Sequence, residues 1–344
     1  MPTLLPQGPA LEPLRALLAR SLARVETRLD EHLSSDLTPV SNLVQHVERY
    51  RGKMVRPTMA ILCGLAANPL ACGEPADSHV MDAHVTLAAV CEMIHVATLV
   101  HDDVLDEADT RRQSPTVNHL RGNEAAVILG DYLFSAAYHL CSTLNDRDTS
   151  LRVARVGMTL CEGELLQNYH RGNFQLDEET YYSIVRRKTA SLIAVACRLG
   201  ASHGGANGSL AERFETFGMD LGVAFQIQDD LLDLTGDEAV VGKSLGKDVE
   251  KGKLTLPLIH HLATAAPECR ARSLAMLEHA EDTDNGQRGG AWAAALASTG
   301  SVEHARRTAQ RFVDSAKAAL GPLHESPAKA LLLGLADTVV NRTY

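Results

Sequence analysis

The residues of this 344-residue chain best suited to chemistry are two sets of three aspartates in one spacing, Asp-Asp-x-x-Asp. The first, Asp102, Asp103 and Asp106, lies in HDDVLDEADTRR. The second, Asp229, Asp230 and Asp233, lies in FQIQDDLLDLTGD. On a helix, positions i and i+4 share a face, so Asp102 with Asp106, and Asp229 with Asp233, each project together. Each set follows an apolar run, HVATLV in one case and LGVAFQI in the other. Carboxylates gathered at the end of a buried helix repel one another and resist desolvation unless a cation neutralises them. A solvated acidic face would carry Lys or Arg among the acids, whereas these are backed by Val, Leu and Ile. Hard oxygen ligands suit Mg²⁺, which joins carboxylates to substrate phosphates. The pattern predicts two facing carboxylate clusters that grip a diphosphate through Mg²⁺.

Basic residues flank both sets. Lys53 and Arg56 stand in Gly52-Lys53-x-x-Arg56-Pro57, and Arg111 and Arg112 follow the first triad. Lys188 and Thr189 occur in RRKTASL, while Lys243, Lys247 and Lys253 follow the second triad. Singly, each is an ordinary surface charge. Together they are the mixture of Arg forks and compact Lys charges that anion recognition uses. Glycines 236, 242, 246 and 252 predict a mobile flap over phosphates. Neither a P-loop nor a dinucleotide fingerprint is present, so a nucleotide cofactor has no support. His95, in an apolar stretch, reads either as a satisfied core histidine or as a binding donor; His101 stays open.

The elements that must position these groups read as helix almost throughout. Apolar residues recur at spacings of three and four through about 10–33, 38–50, 56–67, 78–107, 117–145 and 149–170. The pattern resumes over about 178–202, 209–234, 254–264, 269–280, 289–298, 301–319 and 326–341. Turn formers interrupt it at 67–75, 144–150, 203–209 and 281–290, none long enough for an interdomain linker. The prediction is one all-α domain over residues 1–344, a large helical bundle around a central cavity that both triads enter. Composition agrees: 45% of residues are hydrophobic and 22% charged, enough for a large core. A formal charge of −10 argues against nucleic acid or anionic lipid as the main partner. Seven cysteines without C-x-x-C spacing, several on apolar helical stretches, predict reduced, buried thiols in a cytoplasmic protein, with no zinc site or disulfide framework. The N-terminus lacks a signal-peptide pattern, and Val85 to Val100, broken by Glu92 and His95, reads as a core helix and not a membrane span.

From about Gly52 to Pro257 the chain resembles the trans-polyprenyl diphosphate synthases. The resemblance is carried by both aspartate motifs and by RGKMVRP, LGDYLF, CEGELLQ, RRKTASL and GKSLGKDVEKGKLTLP, in the family's order. It implies the isoprenoid synthase type of bundle and a homodimer. By resemblance, Asp102 and Asp106 are Mg²⁺ ligands supported by Asp103, and Asp229 is the ligand opposite, supported by Asp230 and Asp233. About three Mg²⁺ per site are implied. Lys53, Arg56, His95 and Arg112 match positions that hold isopentenyl diphosphate. Arg111, Lys188, Thr189, Gln226, Lys243 and Lys253 match positions that hold the allylic diphosphate.

The implied activity is prenyl transfer: an allylic diphosphate ionises and the double bond of isopentenyl diphosphate attacks the cation. Ala97 and Thr98, one turn before Asp102, are small where short-chain relatives carry an aromatic, so a long product of about C30–C45 is expected, with Tyr138 a candidate floor. Alternatives are a short-chain (farnesyl or geranylgeranyl) synthase, a partner-dependent subunit and a class I terpene cyclase. The intact second triad and the Lys53, Arg56 and His95 set argue against the last.

Overall fold

The computed structural model describes residues 8–50, 52–71, 73, 76–235, 249, 251–278 and 285–341, and all of their side chains except 10, 235 and 285–290. Lys243, Lys247 and the flap glycines 236, 242 and 246 lie outside the described residues. Among these residues the chain is all-α apart from one two-residue hairpin. It forms two compact units.

The first unit comprises Met1–Met158, Leu192–Gly218 and Ala319–Leu335. Helix α1 (Glu12–Leu33) buries Leu14, Leu17, Leu18, Val25 and Leu29, the three-and-four spacing of an amphipathic stripe. Helices α3 (Val55–Ala67) and α4 (Asp82–Leu105), which follow α2 (Thr38–Val47), are apolar around most of their circumference. Such helices are core elements. α4 is long and apolar enough to cross a membrane, yet 78% of that stretch is buried inside the protein. Its start is capped by its own third residue: Met81 N–H donates to His84 Nδ1 at 3.1 Å, while His84 Nε2 lies 3.1 Å from the Gly200 carbonyl. Burial holds His84 down to about 4, so the ring is neutral near pH 7. Gly200, on α9 (Ser191–His203), and Gly204 sit against the Ala60 and Gly64 carbonyls of α3. A Cβ at either glycine would collide with backbone, so small residues set this helix spacing.

α4 stops two residues before the expected limit, with Asp106 at its C-cap. The chain then forms β1 (Thr110–Arg111) and β2 (Ser114–Pro115), antiparallel, with Arg112 at φ 49° and Gln113 at φ 63° between them. Two successive left-handed residues are the hairpin turn that matches strand twist. Strands this short leave no alternation in the sequence, which is why continuous helix was expected on both sides. The predicted helix over 117–145 is broken at Gly122 (φ 84°) into α5 (Val117–Arg121) and α6 (Asn123–Ser142).

The second unit comprises Thr159–Ser191, Met219–Ala318 and Ala336–Tyr344. It takes the end of α7 (Arg147–Tyr169), then α8 (Glu178–Val185), a π-helical turn over Arg186–Ala190, and the end of α10 (Gly208–Thr235). α11 (Leu256–Thr264), α12 (Pro267–Glu278), α13 (Asn285–Ser298), most of α14 (Ser301–Ala319) and the end of α15 (Pro327–Asn341) complete it. Its core gathers Ile227, Leu231, Leu256, Leu258, Trp292 and Leu296. The π-helical turn carries Lys188 and Thr189, and such turns commonly mark functional sites.

Candidate active site

In the first triad, α4 presents Asp102 partly exposed, Asp103 fully buried and Asp106 partly exposed at the helix end. Asp103 is 1% exposed and takes two contacts from Arg111 on β1: Nε at 2.9 Å and Nη2 at 2.8 Å, both to Oδ1. A buried carboxylate persists only with such compensation. Burial nevertheless outweighs the Arg111 guanidinium and raises the Asp103 carboxyl above its ordinary range. Asp103 Oδ2 has no hydrogen-bond partner, while the Tyr50 hydroxyl, which accepts from Val117 N–H at 3.2 Å, favours the charged form of Asp103. Asn118 Nδ2 donates to the carbonyls of Asp103 (3.3 Å) and Ala108 (3.1 Å), and Thr116 Oγ1 donates to Ala108 O at 2.6 Å. The loop after the triad is therefore clamped to the end of α4.

The same unit gathers a basic cluster. Arg112, in the left-handed region, lays its guanidinium against Gly52, where any Cβ would collide with it. Arg111 lies 5.9 Å from the Tyr50 ring centre, within cation–π range. Arg56, on the first turn of α3, is held below its ordinary value by burial, against the opposing charge of Glu92, which is 2% exposed on α4. Arg56 Nε is buried without a hydrogen-bond partner. His95 is driven well below its ordinary value by burial and then by Arg56, Arg112 and Arg111, so its imidazole is neutral. Lys53 is exposed beside a surface recess lined by Ala19, Leu22, Ala23 and Glu26 of α1. Arg56, His95, Arg111 and Arg112 are thus brought into one electrostatic cluster, with Lys53 at its sequence edge.

In the second triad, α10 presents Asp229 partly exposed, Asp230 5% exposed and Asp233 2% exposed. Asp230 is held by neutral donors: Tyr181 Oη to Oδ2 at 2.6 Å and Gln226 Nε2 to Oδ1 at 2.8 Å. Thr189 Oγ1 donates to Gln226 Oε1 at 3.0 Å, so Thr189, Gln226, Asp230 and Tyr181 form one chain. Lys188 meets Glu164 Oε1 at 2.5 Å and Gln167 Oε1 at 2.9 Å, both from CEGELLQ on α7. Gly163 lets the α7 backbone approach the π-helical turn at Lys188. Lys253 is partly exposed after Gly252 (φ 65°), whose carbonyl accepts from Gly172 N–H at 2.9 Å.

Of the three chain-length candidates, Ala97 is fully buried. Thr98 donates its hydroxyl to the His95 carbonyl at 2.8 Å and so turns its polar atom back onto α4. Tyr138 stacks on Phe134, with its hydroxyl against Gly157 of α7.

The acids fit hard divalent cations in charge and donor type. Among the described residues no three His, Cys, Asp or Glu side chains converge tightly enough to hold a metal unaided. Sequence reasoning missed Tyr50, Asn118, Gln167 and Tyr181, whose types are ordinary and whose partners lie far away in the chain. It also missed Glu92, for which a signal existed: an acid inside an apolar helix needs a buried cation as partner.

Solved structures similar to the chain include polyprenyl synthases. The chain is similar to a decaprenyl diphosphate synthase from Rhodobacter capsulatus, with a TM-score of 0.87 and 34% identity over 97% of this chain and 99% of that one. It is also similar to a polyprenyl synthase from Caulobacter crescentus, solved with calcium and isoprenyl diphosphate, with a TM-score of 0.85 and 30% identity over 98% and 100% of the two chains. The class is thus the all-α isoprenoid synthases. The chain belongs to the polyprenyl synthetase family, whose family model matches residues 38–288, and it is a trans-prenyltransferase. It is 33% identical to octaprenyl diphosphate synthase of Escherichia coli over 333 residues, 96% of this chain and 99% of that protein.

Proposed function

We propose that the chain extends an allylic diphosphate by successive trans, head-to-tail condensations with isopentenyl diphosphate, giving a long product of about C30–C45. The observation that carries this reading is the division within each triad: a partly exposed first aspartate beside a buried, hydrogen-bonded second one. Asp102, Asp106 and Asp229 would ligate Mg²⁺, about three ions per site, with Asp103, Asp230 and Asp233 as support. When bound, Mg²⁺ neutralises the diphosphate as the allylic C–O bond ionises. Arg111, Lys188, Thr189, Gln226, Lys253 and Lys243 hold the allylic diphosphate. Lys53, Arg56, His95 and Arg112 hold isopentenyl diphosphate, with the neutral His95 as an N–H donor. Its double bond attacks the allylic carbocation, and the proton lost passes to the released diphosphate.

Small, buried Ala97 supports the long product, and Tyr138 is the proposed floor of the tunnel. The boundaries between the two units fall inside α7, α9, α10, α14 and α15, which supports a single domain over residues 1–344. A homodimer is supported by α7, which exposes Leu151 (56%), Met158 (56%) and Leu165 (70%) at seven-residue intervals, the repeat of a helix-pairing seam. The described cysteines are free, which supports a cytoplasmic setting; the expectation that they are buried holds for Cys63, Cys91, Cys141 and Cys197 and fails for Cys161 and Cys269, which are exposed. Incubation with isopentenyl diphosphate, an allylic primer and Mg²⁺, with and without chelator, tests the reading through product length. A chelator-sensitive ladder ending at about C30–C45 supports it, and a stop at about C15–C20 sinks the long-chain part.

A further inference from the structure

We infer that His101 is a positioning residue for Asp102, fastening the last turn of α4 to α6. Helix ends fray, and Asp106 already sits at the C-cap, so the turn that carries Asp102 needs restraint from outside the helix. Asp102 has a fastened neighbour on each side. Asp103 is tied to Arg111 on β1. His101 points towards α6, where its Nε2 lies 3.1 Å from the Val127 carbonyl and 3.5 Å from Asp131 Oδ1. A carbonyl only accepts, so Nε2 carries the proton. Residues i−1 and i+1 of a helix face nearly opposite ways, so the two ties bracket the Asp102 side chain.

The His101 ring is also wedged. It stacks on Phe134 with centroids 6.0 Å apart and planes at 26°, and Phe134 stacks on Tyr138 at 6.3 Å and 26°. A glycine receives each end of this three-ring stack. A Cβ at Gly130 would collide with His101 Nε2, and one at Gly157 would collide with the Tyr138 hydroxyl. The stack thus runs from the residue beside a proposed metal ligand to the proposed floor of the product tunnel.

The test measures half-activating Mg²⁺ and the KM for isopentenyl diphosphate in His101→Ala, His101→Gln and Gly130→Ala. Outer-shell partners of metal ligands are worth about 10–100-fold in metal affinity. His101→Ala and Gly130→Ala are expected to raise half-activating Mg²⁺ roughly 10-fold or more, with KM within about twofold. His101→Gln keeps an N–H for Val127 and is expected to recover most of the loss. Gly130→Ala retains the His101 residue but displaces its ring, so it keeps the test open should His101→Ala fail to fold. Unchanged Mg²⁺ dependence in the folded variants, or equal shifts in both constants, would overturn the inference. The inference rests on Asp102 being a metal ligand; a wild-type rate indifferent to Mg²⁺ would remove that reading, whereas Mg²⁺-dependent wild type with unaltered variants removes this one alone.

Discussion

The two aspartate triads share a spacing but are held by different physics. At the end of α4 the buried middle acid, Asp103, is compensated by a cation, Arg111, delivered by a hairpin. Near the end of α10 the buried middle acid, Asp230, is compensated by neutral donors from Tyr181 and Gln226. The third positions differ as well: Asp106 is partly exposed at a helix cap, while Asp233 is buried within α10. One motif therefore offers two partly exposed acids and the other offers one. Identical sequence patterns do not imply identical ligand counts; the helix end decides which carboxylates reach solvent.

Substitution of the outward acids should give the largest effects. Asp102→Asn and Asp229→Asn each remove the charge of a proposed ligand, and turnover in the elongation assay should fall by roughly 10³-fold or more. A tenfold loss or less at either position would break the equivalence of the two first aspartates. The buried acids should separate next. Asp103→Asn strands Arg111 and should cost about 3–5 kcal/mol in denaturant unfolding, the range for breaking a buried ion pair. Asp230→Asn weakens the hydrogen bonds from Tyr181 and Gln226 and should cost about 1–3 kcal/mol. Equal costs would erase the distinction between the two sites.

The helices that carry the triads should also differ in acid. α4 is capped by His84, whereas the start of α10 is capped by Asn207, which accepts from Leu210 N–H at 3.0 Å. His84 falls from 6.5 in the unfolded chain to about 4 in the fold, so the unfolded state binds its proton first. Its contribution is complete above pH 6.5, declines as pH falls and is gone below about 4, amounting to about 3 kcal/mol. His84→Asn should flatten that limb of the stability–pH curve, while Asn207→Ser should leave its shape unchanged. The smallest effect belongs to Tyr181→Phe, which removes one donor to Asp230 and should cost about 1 kcal/mol of stability.

Much of this was legible in the sequence. α7, the α8–α9 run, α10, α14 and α15 lie within two residues of their predicted spans because long amphipathic or apolar stretches declare their period. The aspartates and basic residues declared themselves by spacing. The hairpin at 110–115 did not, because two-residue strands have no alternation, and the left-handed Arg112 leaves no mark in its own identity. Tyr181 and Gln167 reach the site only through tertiary contacts with residues 49 and 21 positions away.

The central claim is that the outward acids of both triads bind a diphosphate through Mg²⁺. Calorimetric titration of a non-hydrolysable allylic diphosphate analogue into wild type, Asp102→Asn and Asp229→Asn, with Mg²⁺ and with chelator, tests it most directly. The account predicts Mg²⁺-dependent binding by wild type that either substitution abolishes. Undiminished binding in chelator, or in either variant, would contradict it.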